Sequence, residues 1–405
     1  MNELTSIGLI LLLALMAGHL VKLLKVPEVT GYILIGVALG PSVLGWLSED
    51  NLVALGVLSE VALGLILFSV GSVFEFSLFR RIGRQVLIVT LAESTLAALL
   101  VTSGALWFGQ PWSVAVLLGV IAMATAPAST LMVMRECDSA GPLSDNLLGI
   151  IAVNNLLCIT VFGFVAAGID VTIGLEGISA SDMLYRSAFW FLWEIVGSAA
   201  LGYLVGLLLA GWSSHVTESG EMLILLAGSI LFCVGASRAL NLSPLVTSLA
   251  VGATMVNLAD RSAHLFGTLS NTDPPFYAIF FVIAGAELDV GRIPAMGWLG
   301  LAYIVGRAAG KFVGATLAAR HLGLVPAVRT FLGFALQAQA GLAVGLTLAV
   351  NSRYPQFAPI ISTVVLASVA VFEVIGPAST RFALIRAGEV GAARPVRTDA
   401  LTADL

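Results

Sequence analysis

The chain has 405 residues, 59% of them apolar and only 11% charged. With a mean hydropathy of +1.02 there is too little polar surface to cover a water-soluble globule, so most side chains must meet lipid or other helices. The net charge of -5 and pI near 5.4 leave no basic patch and argue against nucleic acid as a partner.

Windows of about 20 apolar residues separated by short polar breaks give about thirteen spans, at 5–24, 29–47, 52–74, 84–108, 112–134, 143–168, 183–211, 222–240, 243–259, 275–288, 295–319, 327–350 and 357–385. This is an all-α integral membrane chain, with residues 1–389 as one transmembrane domain and a small, polar, disordered tail over 390–405. In span 1 the run Leu9 to Met16 resembles a signal-peptide core, but Glu3 precedes it and Lys22 and Lys25 follow it, which fits a retained helix better. Span 2 opens on Pro27-Glu-Val-Thr-Gly31 and carries Gly31, Gly36 and Gly40, which permit close helix approach. Spans 3 and 4 hold Glu60 and Glu93 at similar depth, where each could meet the other or a basic partner. Span 5 contains Thr125-Ala-Pro127-Ala-Ser129-Thr130; Pro127 removes a backbone donor, and the hydroxyls can replace lost hydrogen bonds.

Span 6 places Asn154 and Asn155 near mid-membrane, about 100° apart on the helix, so one can face a cavity while the other faces a neighbour. Span 7 adds Glu194, and span 13 adds Glu373. Span 11 carries Arg307 and Lys311 on one face, an unfavourable pair of like charges at depth unless partners are supplied. Span 12 contains Gln337-Ala-Gln339-Ala-Gly341, small residues and amides that suit an unwound segment lining a cavity. The three cysteines, Cys137, Cys158 and Cys233, have no CxxC spacing and read as small buried hydrophobes.

Basic residues set the orientation. With the N-terminus outside and the C-terminus cytosolic, Lys22, Lys25, Arg80, Arg81, Arg84, Arg135, Arg261, Arg320, Arg329, Arg381, Arg386, Arg394 and Arg397 fall inside. Only Arg186, Arg238, Arg292 and Arg353 fall outside, a strong positive-inside bias for a cytoplasmic membrane protein.

The chain also half repeats itself. Pro244-Leu-Val-Thr-Ser248 opens span 9 as Pro27 to Gly31 opens span 2, and Phe280 to Gly285 closes span 10 as Leu67 to Gly71 closes span 3. Both matches lie seven spans apart, and an odd offset inverts the second copy. Inverted repeats are how secondary transporters are built, with the substrate at mid-membrane where broken helices of the two halves meet. Spans 5 and 12 are also seven apart, so the breaks are expected to cross at Thr125–Ser129 and Gln337–Gly341.

These motifs resemble bacterial cation–proton antiporters of the Kef and sodium–proton exchanger type. VPEVTGYILIGVALGPSVLGW looks like their second helix, and AMATAPASTLMVMRECDSAGPLSDNLLGIIAVNNLLCI like their first broken helix and the ion-site helix after it. GRAAGKFVGA, LQAQAGLAVGL and FEVIGPASTRFALIRAGE look like their basic, second broken and last helices. The resemblance implies thirteen helices, a homodimer, dimerisation helices including 5–47, and a mobile core including 112–168 and 295–385. Asn154 and Asn155 then occupy positions where relatives carry Asp-Asp, Asn-Asp or Gln-Asp, and Lys311 matches a basic residue that pairs with the first of these. The departure is Asn155, an amide that does not titrate where relatives carry the ion-exchanging Asp.

The function expected is exchange of sodium or potassium for protons. Thr125, Ser129, Asn154, Asn155, Gln337 and Gln339 would bind the ion, and Lys311, Arg307, Glu93 and Glu60 would serve as gate or proton-coupling groups. Unless Glu60, Glu93 or another carboxylate reaches it, Lys311 would face only amides, would hold its proton loosely and could carry it. A positive site without acid equally suits a proton-coupled anion or polar neutral solute, and loss of the Asp also suits a non-transporting sensor. Expected partners are membrane lipid, a second copy of the chain and a separate cytosolic regulatory subunit. No HExxH, GxSxG or paired His or Cys motif indicates an enzyme, and no cofactor is expected.

Overall fold

Each of the thirteen expected spans is occupied by helix in the computed structural model, which describes residues 3–24, 26–71, 76–173, 180–216, 218–259, 266, 274–288 and 291–391. Lys25, Arg261, Arg394 and Arg397, and the expected tail beyond Gly391, lie outside the described residues. Eleven spans are continuous: α1 (Glu3–Leu23), α2 (Glu28–Leu39), α3 (Glu49–Gly71), α4 (Phe76–Trp107), α7 (Pro142–Ile173), α8 (Ala180–Ser213), α9 (Ser219–Ala239), α10 (Pro244–Leu258), α11 (Pro274–Ala286), α13 (Gly297–His321) and α16 (Ala358–Ala387). The other two are interrupted. Span 5 is α5 (Trp112–Ala122) and α6 (Pro127–Glu136), and span 12 is α14 (Pro326–Ala335) and α15 (Gly341–Arg353). A short α12 (Arg292–Ala295) precedes α13. Among the described residues, eight stretches are long and apolar enough to cross a membrane unaided; α2, α10 and α11 are shorter apolar helices.

Pro27 and Pro244 stand just before or at the first turn of α2 and α10, where a missing backbone N–H costs nothing. The helices they begin make the same contact twice. A Cβ on Gly36 of α2 would lie 2.2 Å from the Val282 carbonyl oxygen of α11, and one on Gly285 of α11 would lie 2.3 Å from that of Ile33. In the other half, a Cβ on Gly252 of α10 would lie 2.0 Å from the Phe68 carbonyl oxygen of α3, and one on Gly71 of α3 would lie 2.4 Å from that of Leu249. Backbone meets backbone at both crossings, which only glycine allows. Thus α2 on α11 and α10 on α3 are one packing unit repeated, the structural form of the sequence match.

Helices α1–α3 and α8–α11 pack chiefly on one another, and so do α4–α7 with α13–α16. In the second group α4 and α13 run antiparallel with small residues facing: Gly306 lies against Val101, Gly310 against Ala97 and Gly314 against Glu93. A Cβ on Gly310 would lie 2.4 Å from the Ala97 Cα. This closeness brings the long side chains of Glu93 and Lys311 together in the interior.

The glycines of α2 are consumed inside the chain. Gly31 abuts Ala17 and Val21 of α1, and Gly36 and Gly40 abut α11. They are therefore not available to a second copy; the exposed apolar side chains nearby, Leu12, Leu15, Met16 and Leu20, belong to α1.

Candidate functional site

The two interruptions cross in contact. The Ala126 N–H donates to the Ala338 carbonyl at 3.0 Å, joining one unwound segment to the other. Each break exposes carbonyls that have lost helical partners, and Arg307, fully buried, collects them: it donates to the carbonyls of Gln337 at 2.7 Å, Ala124 at 2.8 Å and Ala338 at 3.0 Å. Its guanidinium also stacks over Phe372, 4.3 Å from the ring centre. One cation thus caps the carbonyl ends of both α5 and α14, where helix dipoles favour positive charge.

Beside this clamp lies a buried polar network. Lys311 Nζ donates to Glu93 Oε2 at 2.6 Å and to Thr125 Oγ1 at 2.7 Å. Asn154 Nδ2 donates to Glu93 Oε1 and Ser94 Oγ at 2.8 Å each and to the Met123 carbonyl at 3.0 Å; its Oδ1 accepts the Thr125 N–H at 3.0 Å. Lys311, Glu93 and Asn154 are all fully buried. Two of the like charges anticipated on span 11 are therefore satisfied differently, Arg307 by carbonyls and Lys311 by a carboxylate. Of the carboxylates left open as partners for Lys311, Glu93 is the one that reaches it, so the lysine does not face amides alone.

Asn155 behaves unlike its neighbour. It lines a cavity of about 380 Å³ bounded by Leu63 and Leu67 of α3, Ile195 of α8, Leu249 of α10, and the first residues of α6 and α15. Its Oδ1 is buried without a hydrogen-bond partner among the described residues. The cavity shares Ile159, Leu245, Gly341 and Leu342 with a second, of about 660 Å³, lined by Glu194 and reaching Ser243 and Arg353 at one end of the bundle. The two form one corridor between the helix groups, running from that end to the crossing. At the opposite end the groups touch: Glu136 of α6 accepts the Glu28 N–H at 2.8 Å, and Arg135 lies over Tyr277 of α11.

The remaining expected residues divide. Ser129, buried in α6, has a hydroxyl with no hydrogen-bond partner among the described residues. Gln337 turns back to the Gly333 carbonyl, and Gln339 donates to Tyr303 Oη at 2.8 Å and to the Ile121 carbonyl, so neither amide lines the corridor. Glu60 does not reach Glu93 or Lys311; it is partly exposed on α3 and paired with Arg238 of α9. Sequence reasoning missed Ser94, Tyr303 and the corridor position of Glu194. Tyr303 was findable, since Tyr303, Arg307 and Lys311 recur every four residues on one face of α13.

Over 158 residues the chain is 30% identical to the iron transporter MagA of Paramagnetospirillum magneticum, a match covering 38% of this chain and 35% of that one. Longer similarities join it to the ammonium/H(+) antiporter subunit AmhT of Alkalihalophilus pseudofirmus, 23% identical over 82% of this chain and 83% of that one. The Na(+)/H(+)-K(+) antiporter GerN of Bacillus cereus is 22% identical over 78% and 80%. The fold is that of the sodium proton antiporter MjNhaP1 from Methanocaldococcus jannaschii, with a TM-score of 0.72 at 16% identity over 95% of both chains. Residues 8–384 match the transmembrane sodium/hydrogen exchanger family, and the chain belongs to that family.

Proposed function

We propose that the protein is a secondary-active transporter that exchanges a monovalent cation for protons across the cytoplasmic membrane. The observation that carries this reading is the Asn155 Oδ1, an oxygen donor left unpartnered where the corridor meets the crossing. Family membership supplies the exchange chemistry. The cation would be held by this oxygen and by backbone dipoles, while the Glu93–Lys311 pair and Arg307 position Thr125 and the two breaks.

The group α4–α7 with α13–α16 would move as a core against α1–α3 and α8–α11, and a second copy would pack on the exposed face of α1. With the N-terminus outside, the corridor opens outward and the contacts of Glu136 close the cytosolic end.

One observation favours a second reading. The N-termini of α6 and α15 point their positive dipole ends at the inner, 380 Å³ cavity, which holds no carboxylate among the described residues, and this suits an anion coupled to protons. Acid-loaded proteoliposomes with an internal pH dye separate the two. We expect alkalinisation on adding sodium, potassium or lithium salts and none with choline salts; a response that follows the anion whatever the cation would establish the second reading. No response to any salt would favour a sensor.

A further inference from the structure

The reading above leaves an electrostatic gap. A cation at Asn155 would face two helix N-termini with no negative charge among the described residues of the inner cavity, and Asn155 cannot exchange a proton for it. Among the described residues the corridor holds one carboxylate, Glu194 of α8. It lines the outer cavity together with Gly341 and Leu342, the first residues of α15, and the next residue, Ile195, lines the inner cavity. Among the described residues its carboxylate has no ion-pair or hydrogen-bond partner.

Neighbouring charges are occupied elsewhere. Arg353, on the far wall, is paired with Asp170 of α7, and Asp170 also accepts from Tyr354 Oη at 2.6 Å. On α9, Arg238 is taken by Glu60. The α10 side of the cavity presents Leu242, Ser243, Pro244 and Leu245, none of them charged.

We propose that Glu194 is a second part of the cation site: its carboxylate takes up an incoming monovalent cation in place of a proton and hands the cation on to Asn155. The step is balanced, since the arriving cation displaces one proton from the carboxyl into the cavity water and the neutral acid becomes a neutral ion pair. The negative charge also offsets the dipole end of α15, which makes the corridor hospitable to a cation. This assignment rests on the cation–proton reading, and the test keeps the two apart.

The test uses the whole protein in proteoliposomes, with the half-saturating sodium or potassium concentration measured from the corridor side between pH 6 and pH 8.5. In the wild type, that concentration should rise as the medium is acidified, because protons compete. Glu194→Gln should raise it about tenfold at alkaline pH, flatten its pH dependence and lower the maximal rate of cation-driven proton movement. Glu194→Asp should restore both the affinity and the pH dependence, showing that charge rather than bulk matters. An unchanged half-saturation and pH profile in Glu194→Gln would overturn the proposal, as would equal impairment in the Gln and Asp variants or a fall confined to the maximal rate. Absence of cation-driven proton movement in the wild type would instead overturn the cation–proton reading itself.

Discussion

Lys311 and Glu93 show why a charge at depth must be judged with its partner. Removing one member of a buried pair strands the other, at a cost of about 3–5 kcal/mol, whereas removing both together costs far less. Lys311→Met and Glu93→Gln should therefore each lower the melting temperature in detergent sharply, while the double variant recovers most of the loss. Additive losses in the double variant would show that the two do not act as a unit. The sequence made Lys311 conspicuous because an ammonium within an apolar span cannot be idle. It could not say which of four carboxylates answers it, since Glu60 and Glu93 look alike by depth and only the close packing of α4 on α13 separates them. The division of labour between Asn154 and Asn155 was more legible, because adjacent helical residues must point in different directions.

At the scale of elements, the two breaks could be located from Pro127 and Gly341 because their causes are local. What holds them is not local: Arg307 reaches from α13 to carbonyls in both, and no spacing rule announces that contact. The repeated crossings of α2 on α11 and α10 on α3 lead to a separate expectation. Gly36→Leu and Gly252→Leu should each destabilise the fold by about 1–3 kcal/mol or more, as overpacking against backbone does. Gly228→Leu, on an exposed face of α9 with open space around it, should be nearly neutral. Thermal melting of the three variants in detergent checks this, and equal stability of all three would mean that the crossings tolerate separation. From sequence, the glycines of α2 announced close approach without naming the partner.

Among the described residues the molecule is open at one end and closed at the other, which makes its orientation testable. The three native cysteines are buried, so a new one gives a clean signal. Gly345→Cys, on the corridor wall, should react with a membrane-impermeant thiol reagent added from outside. Adding Glu136→Ala, which removes the acceptor of the Glu28 N–H and the partner of Arg381, should shift the population toward the opposite opening and slow that labelling several-fold. Faster labelling, or labelling only from the cytosol, would reverse the assignment of the two ends. The placement of Glu194 on α8 has a consequence for the thermodynamic cycle. In the proposed motion of the core, an acid on the stationary wall would grip a cation at one face of the membrane and not at the other, so the two dissociation constants would differ. Detailed balance then requires the loaded and empty carriers to differ by the same factor in how they divide their time between the two faces. An asymmetric grip cannot push cargo uphill; what it sets is where the carrier waits.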